Sequence, residues 1–435
     1  MVLKAVPKMV PKNANTLILL GFLQVIGGLV VPRRGLEPPR PYRHQHLKLA
    51  RLPFRHLGRS RDGRFTRGRG SCQRDSSTNP SVWFESLDCA LSGTMLAGKP
   101  TLHIQEALQM SKLVTIFGGS GFVGRYIARR MAKEGWRVRV AVRNVNEATF
   151  VRPYGAVGQV EPVFCNIRDD ASVAAVTHGA DAVVNCVGVL DETGKNTFSA
   201  VQAEGAARIA RIAAEHGVTR MVHISAIGAN SEAESAYSRT KVEGEAGVLE
   251  HIPSAIILRP SIIFGAEDEF FNRFAGMSRF GPILPVIGAD TKFQPVYVDD
   301  VAAAATQAVV GKVPAGVYEL GGPDVHSFRE LMQTMLEVVR RRRLILNIPF
   351  WAARIMASAF GIGRALSLGL VKGPVTKDQV TNLAIDNVVS DDAQGFAAFG
   401  IRPTAMEAVL PDYLWRFRPS GQYDAIKESA KNLKT

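Results

Sequence analysis

The 435-residue chain has little cysteine, with only Cys72, Cys89, Cys165 and Cys186. None of the four sits at metal-ligand spacing, and neither HExxH nor a paired CxxC occurs, so no metal site is expected. Cys165 and Cys186 lie in apolar strand-like stretches and read as inert core residues in a reducing compartment. No apolar run reaches the roughly 20 residues needed to span a bilayer. The nearest approach is residues 16–31, "TLILLGFLQVIGGLVV". Internal repeats are also absent, which excludes solenoids and propellers.

Clustered cations are scarce through most of the chain. The formal charge is +14, but residues 1–110 hold 17 Lys and Arg against 6 Asp and Glu, whereas residues 111–435 hold 36 against 33. Binding along a phosphate backbone needs grouped cations, and beyond residue 110 only Arg340–Arg343 form a run. That run falls at a predicted helix end, where the dipole favours positive charge. No nucleic-acid partner is expected.

The basic excess therefore belongs to the front of the chain. Lys4, Lys8 and Lys12 precede the apolar run in the outline of a signal or anchor sequence. Residues 32–75 are rich in Arg, Pro, Gly and His and lack the periodicity that burial requires. Residues 1–109 are thus expected to be a disordered extension or a spurious upstream reading, with the protein working from Met110. Residues 110–325 are expected to form the main domain, and 326–435 a helical C-terminal lobe.

What the chain does have, from residue 112, is strand, glycine turn and helix in succession. "KLVTIF" reads as a buried parallel strand. "GGSGFVG" follows, then "RYIARRMAKEG" with helical apolar spacing and a glycine stop. Gly118, Gly119, Gly121 and Gly124 fall at GxxGxxG and GxGxxG spacing. Such a turn lets backbone approach a pyrophosphate while the helix N-terminus supplies N–H groups and partial positive charge. Ser120, Phe122 and Val123 complete the predicted cofactor contacts of the turn. The second strand, "RVRVAVRN" (137–144), ends on Arg143 where an NAD site usually has an acid. A cation there suits a 2′-phosphate, so NADPH is expected, with NADH as the alternative.

Further strands read at 159–167, 181–189, 220–228 and 254–265, separated by helical stretches. That alternation predicts an α/β fold, a doubly wound parallel sheet of Rossmann type. Ligands then sit at strand C-termini, which selects Asn166, Ile167, Gly188 and Pro260. Ser225 ends the fifth strand. Tyr237 and Lys241 follow four apart on one face of a predicted helix. The ammonium would lower the phenol's pKa and bond a ribose, while the serine would hold a carbonyl oxygen. The three are the predicted catalytic set, and Tyr237 and Lys241 also count as cofactor ligands.

"TIFGGSGFVG", "HISAIGA", "YSRTK", "ILRPSIIFG" and "FQPVYVDDVA" together resemble the extended or atypical short-chain dehydrogenase/reductase family. "HISAIGAN…AYSRTKVEGE…ILRPSIIFGAEDEFFNRFAGM" is closer still to its branch of NAD(P)H-binding accessory subunits of respiratory complex I and their bacterial homologues. The resemblance covers residues 111 to about 420. It implies a structurally held NADPH and an accessory or assembly role in complex I or quinone metabolism. It also implies respiratory complex I subunits or quinone-related membrane proteins as partners, with peripheral membrane contact. The expected place is the cytoplasmic inner face of the inner membrane, or the matrix side in a mitochondrion. The rival is an active NADPH-dependent reductase or epimerase/dehydratase using Ser225, Tyr237 and Lys241 on a small, nucleotide-sugar or prenylated carbonyl substrate.

Two later stretches are distinctive. Phe270, Phe271, Phe274, Met277 and Phe280 are expected to be mostly core, with an apolar substrate cavity as the alternative. Residues 344–371 are apolar but carry Arg354, Arg364 and Pro349. They make a poor membrane span, and amphipathic docking or packing on the protein's own core are both open.

Overall fold

The computed structural model describes residues 112–366, 375–423 and 429–430. The front segment, residues 1–109, lies outside the described residues. Seven strands make one all-parallel sheet: β1 (Leu113–Phe117), β2 (Arg137–Val142), β3 (Val160–Phe164), β4 (Ala182–Asn185), β5 (Met221–Ile224), β6 (Ile256–Pro260) and, later in the chain, Gly316–Leu320. Their spatial order is Gly316–Leu320, β6, β5, β4, β1, β2, β3. The chain crosses back over β1 between β3 and β4, which opens a ligand crevice at the strand C-termini.

Both faces of the sheet are covered, as period-2 alternation of buried side chains requires. Val114 and Ile116 point to one face, where they join Ile127 and Met131 of α1 (Phe122–Lys133). Phe117 and Val183 point to the other, with Val173 of α2 (Asp170–Thr177), Ile209 of α3 (Glu204–Glu215) and Val248 of α4 (Ala236–His251). The doubly wound α/β fold is thus as the alternation of elements predicts. The strands are shorter than their apolar runs, since the first residues past each C-terminus turn into ligand-side loops. The sixth run splits, and only its Ile256–Pro260 part joins the main sheet. The seventh strand was not expected: Pro314 precedes it and Gly316 opens it, which hides its pattern.

Phe328, Met332, Leu410 and Leu414 of the C-terminal lobe share an apolar cluster with Phe271, Leu284 and Phe293, which precede residue 326, and these segments together make up the lobe. Phe270 stacks on Phe328 with centroids 5.5 Å apart, and Phe274 meets Phe328 edge-on at 5.4 Å. Phe270, Phe271, Phe274 and Met277 therefore belong to the core. Phe280 does not: it follows the helix Phe271–Met277 and is exposed. The Tyr413 hydroxyl donates to the buried Asp268 carboxylate at 2.5 Å, and the Gly265 and Asn272 amides also donate to it. Burial pushes the Asp268 pKa up despite those bonds. Tyr413→Phe removes one donor from a buried anion and is expected to cost about 1.5–3 kcal/mol, the worth of a bond to a charged group. Urea unfolding would measure it, and a loss below about 0.5 kcal/mol would show the bond contributes little.

Candidate functional site

The glycine turn is shaped by its own close contacts. Gly118 has φ +73°, a left-handed conformation that glycine adopts without strain. Its amide donates to Ala141 at 3.0 Å, tying the turn to β2. At Gly124 an added Cβ would overlap the Gly118 carbonyl oxygen, so helix and turn meet at a distance only glycine allows. Gly121 is the N-cap of α1 and makes no side-chain cap bond, and the first turn carries no acid. The N–H groups of the first turn are therefore available to an anion, and the partial positive charge is uncompensated. Gly119 is buried, while Ser120, Phe122 and Val123 are half-buried around the turn. Arg125 braces it from outside, donating to the Ser120 and Gly121 carbonyls at 3.0 and 3.2 Å.

Gly118 lies against the end of β4. A Cβ on it would come within 3.3 Å of the Cys186 backbone. Two residues on, a Cβ on Gly188 would stand 3.6 Å from Lys241 Nζ. Lys241 is buried and donates to the Ile224 carbonyl at 3.2 Å, next to Ser225. The glycine turn, the ends of β4 and β5, and α4 thus converge. Tyr237 sits one turn before Lys241, and Lys241 Nζ is 5.9 Å from its ring centroid. Phe198 closes the other side edge-on at 5.9 Å.

The expected lowering of the Tyr237 pKa is not found. Burial, and then the Asp378 carboxylate, push the phenol up to about 12. The ammonium that would oppose this is itself weakened: burial drives Lys241 down to about 8. The cation beside the phenol is thus weakened by burial, and the Asp378 carboxylate works against the phenolate.

Lys241 gives a pH signature. An unfolded lysine titrates near 10.4, so between about 8 and that value the unfolded chain binds the extra proton. The Lys241 contribution to stability then rises with pH through this window, while below it the burial penalty is present in full. The unfolding free energy of the wild type minus that of Lys241→Met should therefore climb across the window; taking the difference removes the Cys165 and Cys186 thiols, which burial pushes up and which pull the other way in the same range. Equal slopes would show that Lys241 keeps its ordinary pKa.

Ser225 Oγ and His223 Nε2 are both buried without a hydrogen-bond partner among the described residues. Orphaned buried polar atoms are costly unless something fills them. Here they lie on a strand that ends at the site, as a binding pocket would arrange them. Asn185 Nδ2 faces His223 Nδ1 at 3.1 Å, and burial holds the imidazole down to about 3, so it is neutral. Sequence reasoning missed His223 and Asn185, although both stand out as polar residues inside apolar strands. It also missed Asp378, which accepts from Ser235 Oγ at 2.9 Å and the Ala236 amide at 2.7 Å at the start of α4. Nothing in the sequence links positions so far apart.

The remaining candidates are more peripheral. Arg143 directly follows β2, is exposed, and has no ion-pair partner among the described residues. Asn166 and Ile167 stand beyond β3, where Asn166 Oδ1 already accepts from the Arg168 amide and guanidinium and Ile167 packs beside Gly205. Pro260 is buried at the end of β6, its carbonyl accepting from the Ile227 amide at 3.0 Å.

A seven-stranded parallel sheet, an uncapped glycine turn and a Ser–Tyr–Lys group at the strand ends define an NAD(P)-binding Rossmann protein of the short-chain dehydrogenase type. The chain belongs to the NAD dependent epimerase/dehydratase family, whose pattern matches residues 114–321. Within it, the chain is similar to NADH dehydrogenase (ubiquinone) 1 alpha subcomplex subunit 9, mitochondrial, of Arabidopsis thaliana: 34% identical, over 71% of this chain and 79% of that protein. It is 28% identical to the NADH-ubiquinone oxidoreductase 40 kDa subunit, mitochondrial, of Neurospora crassa, over 75% and 86% of the two chains. A ceramide reductase of Caulobacter vibrioides is also 28% identical, over 59% and 84%. Among solved structures, the NADPH-dependent quinone oxidoreductase QOR2 of Escherichia coli, complexed with NADPH, shares the fold with a TM-score of 0.53. It is 16% identical, over 69% and 98% of the two chains.

Proposed function

We propose that this chain holds NADPH in the Gly118–Gly124 turn and serves as an accessory or assembly factor of respiratory complex I, or of quinone metabolism. Its partners are then complex I subunits or quinone-related membrane proteins. It works peripherally at the inner face of the inner membrane, the matrix side in a mitochondrion. One observation carries the reading: the glycine cradle is complete in a chain whose likeness to a complex I subunit spans 71% of its length. In this reading Gly118, Gly119, Ser120, Gly121, Phe122, Val123 and Gly124 receive the pyrophosphate. Arg143 receives the 2′-phosphate, Asn166 and Ile167 flank the adenosine, and Gly188, Tyr237, Lys241 and Pro260 border the nicotinamide half.

Calorimetric titration with both cofactors tests it. NADPH is expected to bind more tightly, and Arg143→Ala should erode the difference by about 1–3 kcal/mol, the worth of one charge-assisted contact. Tighter NADH binding would contradict the assignment of Arg143.

A second reading is favoured by the intact Ser225, Tyr237 and Lys241 and by the ceramide reductase relative. In it the protein reduces a carbonyl substrate. A bound dihydronicotinamide would supply the hydride. The Tyr237 hydroxyl gives its proton to the carbonyl oxygen, Ser225 Oγ donates to that oxygen, and Lys241 orients the site. Turnover of bound NADPH on added ketones would separate the two readings.

A further inference from the structure

The C-terminal lobe carries an apolar surface that its own core does not use. Strand β7 (Ile283–Ile287) pairs in parallel with a later strand, Leu344–Ile348. In this register Leu344 stands beside Ile283, and Leu346 beside Pro285. Side chains two apart share a face. The other face, with Leu284, Val286 and Ile345, packs into the lobe's apolar cluster. The Ile283–Leu344–Leu346 face is left to solvent, with Leu344 at 65% exposure and neighbouring Phe280 at 77%.

The patch continues along the chain. Pro349 leads from the second strand into the helix Phe350–Leu366. That helix buries Ala353 and Ala357 against Ile287 and turns Trp351 and Ile355, one turn apart, outward at 68% and 63% exposure. Trp351 is three residues from Ile348, within about 11 Å along the chain. Single exposed apolar residues need no explanation, but six in adjoining elements do.

Positive charge predominates beside this surface. Residues 338–371 contain six arginines and no carboxylate. Arg340–Arg343 end directly at Leu344 and line an open pocket with Arg329, in which Glu337 is the acid. Arg341 and Arg343 are held in place by the Phe417 and Ser278 carbonyls at 2.9 and 2.8 Å. Arg354 is exposed between Trp351 and Ile355. Guanidinium groups at the rim of an aromatic and aliphatic patch match the chemistry of a bilayer surface, with anionic headgroups outside and acyl chains below.

We propose that Phe280, Ile283, Leu344, Leu346, Trp351 and Ile355, with the adjoining arginines, form a docking surface for an anionic lipid bilayer. The surface is apart from the nucleotide site, so the inference stands or falls independently of the cofactor. No helix among the described residues is long and apolar enough to cross a membrane. The contact is accordingly one of shallow insertion.

The front segment, with its apolar run and basic charge, gives the full chain a second route to lipid, so the readout must be local to the patch. Trp351 provides it. Full-length protein is mixed with vesicles of phosphatidylcholine, alone or with phosphatidylglycerol, and the emission of Trp351→Phe is subtracted from that of the wild type. The Trp351 component should shift to the blue and be quenched by brominated acyl chains on the anionic vesicles, and much less on the neutral ones. Leu344→Ser/Leu346→Ser should raise the lipid concentration needed by about tenfold or more. Arg342→Glu/Arg354→Glu should raise it by a similar factor, and added salt should mimic that change. An unshifted Trp351 on a chain that has bound vesicles would overturn the proposal. So would equal response to neutral vesicles, or a Trp351 already shielded without lipid, which would mean that another part of this chain covers the patch. A shift seen only when complex I subunits are added would assign the surface to a protein instead.

Discussion

Gly124→Ala is expected to weaken NADPH binding by about 10- to 100-fold while leaving the overall fold intact. The substitution adds a single methyl, but it falls on the Gly118 carbonyl oxygen. Helix α1 must then move away from the turn. Overpacking of this kind costs about 1–3 kcal/mol, and here it displaces the amides of the first helical turn that would meet the pyrophosphate. Calorimetry would read the affinity and circular dichroism the fold. Unchanged affinity would show that the nucleotide, if held at all, is held elsewhere. A Gly135→Ala control, with φ +81° but open space around it, should strain the backbone locally and leave binding untouched.

Tyr237→Phe separates the two functional readings. In the reductase reading the Tyr237 hydroxyl gives its proton to the carbonyl oxygen, whereas the proposed phosphate contacts lie in the glycine turn. If turnover exists, it should fall by roughly 10²–10⁴, the usual worth of a general acid, with NADPH affinity held within about twofold. With the phenol pushed up to about 12, any such reaction should keep its proton donor in the protonated form well above neutral pH. Should the variant restore growth and complex I assembly in a deletion strain as fully as the wild type, the structural role is the one that matters. Failure to restore them, with NADPH still bound, would favour the reductase.

The parts of this protein that were legible in the sequence are those where a short stretch carries its own constraint. The glycine turn is one: Gly118 and Gly124 are required by a conformation and a contact only six residues apart. Six of the seven sheet strands announce themselves as β-branched runs, because both faces of a parallel sheet are buried. Tyr237 and Lys241 were placed on one helix face by spacing alone. What was not legible depends on distant parts of the chain. The strand Gly316–Leu320 is fixed by pairing with β6, some sixty residues earlier, rather than by its own pattern. The Tyr237 pKa depends on burial by Phe198 and on Asp378, neither of which is near it in sequence. Phe280 shows the converse. Its phenylalanine-rich neighbourhood implied the core, but the helix ends at Met277 and the side chain points to water.

Native mass spectrometry of the protein released gently from its own membranes would read cofactor and partners together. The proposed accessory role requires the chain to carry one bound NADP(H), in assemblies that include complex I subunits. Bare chain, or chain bearing only NAD(H) and no such subunits, would contradict it.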